Sequence, residues 1–89
     1  MGFFSRKKTV DLDEVFKKKY KDINSIVNEA NNELDLKIQI SLLELAYEKY
    51  GDLLELIDQG VEYDRKHFEV LQNDLKKQIH LLKGLENEN

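Results

Sequence analysis

The sequence predicts an all-α domain, an antiparallel up-down-up bundle of three long amphipathic helices at about 11–33, 35–59 and 64–84. Apolar residues recur at spacings of three and four along most of the chain. Charged residues make up 36% of the chain against 40% hydrophobic ones, and no proline interrupts the pattern. The links between the apolar segments are short, which favours antiparallel neighbours.

Length and composition limit the kinds of protein that this chain can be. Eighty-nine residues allow one domain, which we place at 10–85, between a flexible basic tail at 1–9 and a disordered tail at 86–89. The chain has no cysteine, which excludes disulfides and thiolate metal ligands. No apolar run approaches the roughly 18 residues that cross a bilayer, so we expect a cytoplasmic protein. Lysine outnumbers arginine twelve to two, a bias of AT-rich genes that suggests a bacterial or phage source.

The first helix is predicted to begin at Asp11. Asp11 and Glu14 have the spacing of a capping box, and Val10 and Val15 stand at the positions of a hydrophobic staple around it. The apolar residues that follow have the spacing of one helical face: Leu12, Val15, Phe16, Tyr20, Ile23, Ile26, Val27, Ala30 and Leu34.

The segment 34–40 alternates strictly between apolar and polar residues, which is formally a strand pattern. We predict a helix instead, because no second run of this kind exists to pair with it. This second helix is expected to begin between Leu34 and Ser41. The latest start is supported by Ser41 and Glu44, which have the spacing of an alternative capping box. On a helix its apolar residues occupy two sides, Leu36, Ile40, Leu43 and Tyr47 on one and Ile38, Leu42 and Leu45 on the other.

Gly51 is interpreted as a tolerated helical glycine, since the apolar face continues past it without a phase jump. A capping-box spacing at Asp52 and Glu55 supports the alternative, a split into two shorter helices. Gly60 has the features of a left-handed residue that ends a helix, with Val61 packing back on Leu56 in a Schellman motif.

The third helix is predicted to begin after Asp64 as its N-cap, with Tyr63 and Phe68 as the staple. Its heptad-like apolar spacing, typical of a coiled coil, runs through Phe68, Leu71, Leu75, Ile79 and Leu82 and is expected to end near Gly84.

Charge is distributed in blocks that suit an antiparallel bundle. Residues 1–21 carry a net charge of +4, from seven basic and three acidic residues, and residues 22–64 carry −9, from two basic and eleven acidic ones. The topology brings two groups of charged residues to one end of the bundle. The basic group is Lys17, Lys18 and Lys21, and the acidic group is Asp52, Glu55, Asp58 and Asp64.

Residues with catalytic or metal-binding chemistry are sparse. The hydroxyl residues lie in no strained glycine-rich turn and have no neighbouring acid and histidine pair, so we predict no enzyme and no cofactor. Asp64 and His67 have the spacing of a carboxylate-x-x-His metal half-site, but only one such half-site exists and Asp64 is better used as a cap. We therefore predict no metal site.

The function predicted is a non-enzymatic protein-protein interaction or regulatory role. A core this small is marginally stable alone, so we expect a homodimer that covers the wide apolar arc of the second helix. The expected interface is Leu36, Ile38, Ile40, Leu42, Leu45, Tyr47 and Tyr50. The alternative is nucleic-acid or membrane-surface binding through Arg6, Lys7, Lys8, Lys17, Lys18 and Lys21, with membrane contact by Phe3 and Phe4. Nucleic acid is the less favoured partner because the chain is acidic overall.

Overall fold

A computed structural model describes residues 11–87. They form three helices, α1 (Leu12–Asn31), α2 (Leu36–Asp58) and α3 (Arg65–Asn87), and this part of the chain contains no strand. Helices α1 and α3 each pack against α2, which confirms the predicted all-α three-helix architecture. The predicted basic tail at 1–9 and the staple residue Val10 lie outside the described residues.

An aspartate caps the N-terminus of each of the three described helices. The Asp11 carboxylate accepts a hydrogen bond from the backbone N–H of Asp13 at 3.1 Å, and that of Asp64 accepts one from Lys66 at 3.1 Å. Asp35 accepts from the backbone N–H groups of Lys37 and Ile38 at 2.9 and 3.3 Å. Each carboxylate satisfies N–H groups that have no partner within the helix and places negative charge at the positive end of the helix dipole.

The alternating segment 34–40 is helical from Leu36 onward, as expected on pairing grounds. The alternative start at Ser41 is wrong, because Ser41 is an exposed residue inside α2 and Asp35 provides the cap. Helix α2 also continues through Gly51, so the split at Asp52 does not occur. A methyl group added at Gly51 would meet only the Gln72 side chain, at 3.8 Å.

The turn after α2 is the predicted Schellman motif. Gly60 has a φ of 118°, in the left-handed region that favours glycine. The Gly60 N–H donates to the Ile57 carbonyl at 3.0 Å, and the Val61 N–H donates to that of Leu56 at 3.2 Å. Val61 and Leu56 are both buried, which supplies the apolar contact that accompanies this motif.

Two helix ends differ from the expected boundaries. Helix α1 ends at Asn31, and the side-chain amide of Asn32 donates to the Asn28 carbonyl at 3.1 Å. Helix α3 continues past Gly84, where we expected it to end, as far as Asn87. Gly84 does not adopt a positive φ, so it forms no left-handed cap and the helix propagates through it.

The core lies along α2, which contributes six of its buried side chains. Within the described residues, no Cα atom of α1 lies within 8 Å of one in α3. Helix α2 is therefore the central element against which both outer helices pack. The buried residues are Phe16, Ile23, Ala30, Ile40, Leu43, Ala46, Tyr50, Leu53, Leu56, Val61, Phe68, Leu75 and Ile79.

An aromatic cluster joins the outer helices at one end of the bundle. Phe16 of α1 stacks on Tyr63 with ring centroids 4.4 Å apart and meets Phe68 of α3 edge-on at 5.1 Å. Tyr20 meets Phe68 edge-on at 5.2 Å and lies 6.3 Å from Tyr50 of α2. Tyr63 and Phe68, the predicted staple, are themselves in contact at 6.2 Å. Large rings thus connect α1 and α3 where the backbones are too far apart to touch.

Candidate interaction surface

The structure divides the seven predicted interface residues by burial. Ile40 and Tyr50 are buried in the intramolecular core, so they are not available to a partner in this fold. Leu36, Leu42 and Tyr47 are half-buried and pack against that core. Ile38 and Leu45 remain 49% and 43% exposed. The side of α2 that carries Ile38, Leu42 and Leu45 is thus the more open one.

We call the row formed by Leu34, Ile38, Leu42 and Leu45 the α2 stripe. Leu34, in the link before α2, is 99% exposed and adds a third exposed apolar residue next to the start of this helix. Sequence reasoning missed Leu34 as a surface residue because its position continues the apolar face of α1. The signal that identifies it is the Asp35 cap directly after it, which places Leu34 outside both helices.

The stripe is open because it faces away from the core. At about 100° per residue, Ile38 and Leu45 stand about 140° and 160° around the helix from the buried Leu43. Further along α2, exposed residues of α1 form ion pairs with it, Lys19 with Asp52 at 4.0 Å and Asp22 with Lys49 at 3.5 Å.

Most of the charged residues on α2 have partners from the other helices. Glu44 pairs with Lys83 at 2.7 Å, and Asp58 pairs with Arg65 at 2.6 Å. Lys37 and Glu48, which border the α2 stripe, have no oppositely charged group within 4.0 Å among residues 11–87. Unpaired charges and uncovered apolar side chains thus occur on the same stretch of α2.

A second set of exposed apolar residues lies on α3. Val70, Leu81 and Leu85 are 53%, 70% and 53% exposed. The exposed residues Asp74 and Lys77 occupy the same face between Val70 and Leu81, so the set is interrupted by charge. The α2 stripe is the longer continuous apolar row.

The predicted basic region is only partly in view, since Arg6, Lys7, Lys8 and the two phenylalanines Phe3 and Phe4 lie outside the described residues. Lys17 pairs with Asp13 at 3.2 Å, and this hydrogen bond and charge raise its pKa. Lys18 and Lys21 are exposed on α1. The expected cross-helix contact to Asp52 is made by Lys19 instead.

The candidate metal and nucleophilic residues are separated. Asp64 is engaged as the α3 cap, and the exposed His67 ring lies edge-on to Phe68 at 5.1 Å. Residues 11–87 hold no group of three or more histidine and acidic side chains that would suit a metal ion. Ser25 and Ser41 are exposed on helices. None of the three described helices has the length and apolar character needed to cross a membrane.

Comparison of the chain with family models, with curated proteins and with solved structures found no match.

Proposed function

We propose that this chain is a non-enzymatic protein-protein interaction or regulatory protein, and that the α2 stripe is its contact surface. The observation that carries the proposal is the exposure of Ile38 and Leu45 on a helix whose other apolar residues are covered, together with the exposed Leu34 in the link before it. Scattered exposed apolar residues are normal on a monomer, whereas a contiguous row is typical of a binding surface.

The surroundings of the stripe support this role. A row of aliphatic side chains at positions i, i+4 and i+7 of a rigid helix is the usual anchor pattern in helix-mediated recognition. Helix α2 is the central element of the fold, so the row is displayed on the part of the molecule with the most packing support.

Site-specific photo-crosslinking in the native cell tests the proposal. A photoreactive amino acid is placed at Leu45, and the matched control carries it at Leu81, which is exposed and apolar but lies on α3. We expect a discrete protein adduct from position 45 and none from position 81. Adducts from position 81 alone would reject the α2 stripe as the contact surface, and no adduct from either position would reject the interaction role.

The competing proposal is nucleic-acid or membrane-surface binding through the basic N-terminal region. The exposed Lys18 and Lys21 favour it, since both side chains are available to phosphate groups. A gel shift and a liposome sedimentation assay, with the full chain and with a chain lacking residues 1–8, test it. Binding that weakens with salt and with the truncation supports the competitor, and absence of binding to either ligand rejects it.

A further inference from the structure

We infer that the occupant of the α2 stripe is a second copy of this chain, with the two α2 helices antiparallel about a two-fold axis that passes between Ser41 and Leu42. This inference rests on the proposed function, in which the stripe is a protein contact, and it names the partner. It is carried by the way in which the uncovered side chains of α2 match one another.

The apolar residues match under this symmetry. Antiparallel pairing about that axis puts residues opposite each other when their numbers sum to 83, so that Ile38 faces Leu45 of the second copy and Leu45 faces its Ile38. Leu42 then faces Ser41 of the second copy, a small residue that lets the helices approach closely. The two most exposed helical positions of the stripe are therefore covered together.

The unpaired charges match under the same symmetry. Lys37 and Glu48 are eleven residues apart, almost a whole number of turns, so both lie on one flank of the stripe. In an antiparallel pair, the flank of one helix that carries these residues lies next to the same flank of the other helix. Lys37 of one copy is then offset from Glu48 of the other by two residues, about 3 Å along the axis, which a lysine side chain spans. Two ion pairs form, one on each side of the axis.

The opposite orientation is disfavoured by the same residues. A parallel pair would put the flank that carries Lys37 and Glu48 on opposite sides of the interface in the two copies, so neither charge would meet an opposite charge and both would stay unpaired. An unrelated partner would have to supply the complementary acid, base and aliphatic residues, whereas a second copy carries them already. About six side chains per copy make a small contact, so we expect a dissociation constant on the order of 10 to 100 µM.

Charge reversal with rescue tests this geometry. Sedimentation velocity over a concentration series gives the dimer dissociation constant of the purified full chain, and circular dichroism checks that each variant is folded. We expect Lys37→Glu and Glu48→Lys each to weaken the dimer at least about fivefold, because each single change creates two repulsive contacts. The double variant K37E/E48K restores the original affinity, because the pairs reform with exchanged signs. Lys77→Glu on α3 is the charge-matched control and leaves the affinity unchanged.

A second variant tests the apolar half of the contact. Leu45→Asp is expected to give a monomer at all concentrations, while Leu81→Asp leaves the dimer intact. A wild-type chain that stays monomeric to several hundred micromolar overturns the inference, as does a dimer insensitive to Lys37→Glu and Leu45→Asp. If the wild type is monomeric but position 45 crosslinks to a different protein, the inference fails and the proposed function stands.

Discussion

At the scale of single residues, the start of α2 depends on which side chain accepts hydrogen bonds from its first backbone N–H groups. Asp35 accepts two such hydrogen bonds, and Ser41 lies six residues further on as an exposed helical residue. The capping-box spacing at Ser41 and Glu44 is equally good in sequence. The aspartate is used because starting at Ser41 would leave Leu36 and Ile40 outside the helix and uncover core surface.

Replacement of these two residues tests the assignment of the cap. We expect Asp35→Ala to lower the free energy of unfolding by about 1 kcal/mol, because two N–H groups lose their acceptor. Ser41→Ala serves as the control and is expected to be neutral or to stabilise by about 0.5 kcal/mol, since alanine has the higher helix propensity. Urea denaturation measures both changes. A larger loss from Ser41→Ala than from Asp35→Ala would contradict the structure.

Tyr50 makes stability depend on alkaline pH. Its burial, and then the neighbouring Tyr20, raise its pKa from 10.0 to about 12. Because the folded-state pKa lies above the unfolded value, the fold favours the protonated phenol. The stability that this preference supplies is fully present below pH 10 and is lost as the pH rises toward 12. Two pH units correspond to about 2 to 3 kcal/mol, which we expect as the maximal loss.

The Tyr50→Phe variant isolates this effect from the other tyrosines. It has no phenol at position 50 to ionise, so its free energy of unfolding is expected to fall less between pH 9 and pH 12 than that of the parent. Denaturant unfolding at several pH values gives the two slopes. Identical slopes would show that Tyr50 does not titrate from a buried position.

At the scale of elements, two glycines play opposite roles in α2, one at its end and one in its interior. Gly60 ends α2 in a left-handed conformation, and Gly51 is an ordinary residue within it. Sequence reasoning separates them because only Gly60 is followed by an apolar residue positioned to pack back on the helix, with a cap for the next helix soon after. The contacts of Gly60 are local, and local contacts are those a sequence pattern determines best.

The two glycines respond oppositely to the same substitution. Gly60→Ala is expected to lower the free energy of unfolding by about 1 to 2 kcal/mol, because alanine is strained at a φ of 118°. Gly51→Ala is expected to raise it by about 0.5 to 1 kcal/mol, since the added methyl group meets the Gln72 side chain at an ordinary 3.8 Å. Thermal unfolding of the pair distinguishes them. Equal shifts for both variants would contradict the assigned conformations.

At the scale of the whole molecule, the aromatic cluster holds the two outer helices together. Phe68 contacts rings from α1 and from the link before α3, while the α1 and α3 backbones stay apart. Burial of the cluster therefore determines the position of α3 relative to α1. The ion pairs that cross between helices are solvent-exposed and contribute about 0 to 1 kcal/mol each.

Removal of the ring at Phe68 tests this dependence. We expect Phe68→Ala to lower the free energy of unfolding by about 3 to 5 kcal/mol, which is as much as a single core of this size usually supplies. The variant is then largely unfolded at room temperature by circular dichroism. Val70→Ala, two residues away and exposed, is the control and changes stability by less than about 0.5 kcal/mol. A folded Phe68→Ala variant with a melting temperature close to that of Val70→Ala would show that the cluster is dispensable.

Local sequence patterns were sufficient to predict the three helices, the aspartate caps at Asp11 and Asp64 and the Gly60 turn. These depend on residues within a few positions of one another, because capping hydrogen bonds and the Schellman contact are made inside one turn of chain. The extension of α3 through Gly84 was not readable, since a glycine near a helix end is compatible with either a cap or a helical residue and the difference lies in its φ.

Which apolar face of α2 stays open depends instead on how the three helices pack together. The sequence showed a helix apolar on two sides, and the expected interface mixed residues from both. The side of α2 that is covered depends on where α1 ends and on how α1 and α3 pack against α2. This packing joins residues that are far apart in the chain. With Ile40 and Tyr50 in the core, the row from Leu34 to Leu45 is what remains uncovered, because each outer helix covers only the side of α2 it packs against.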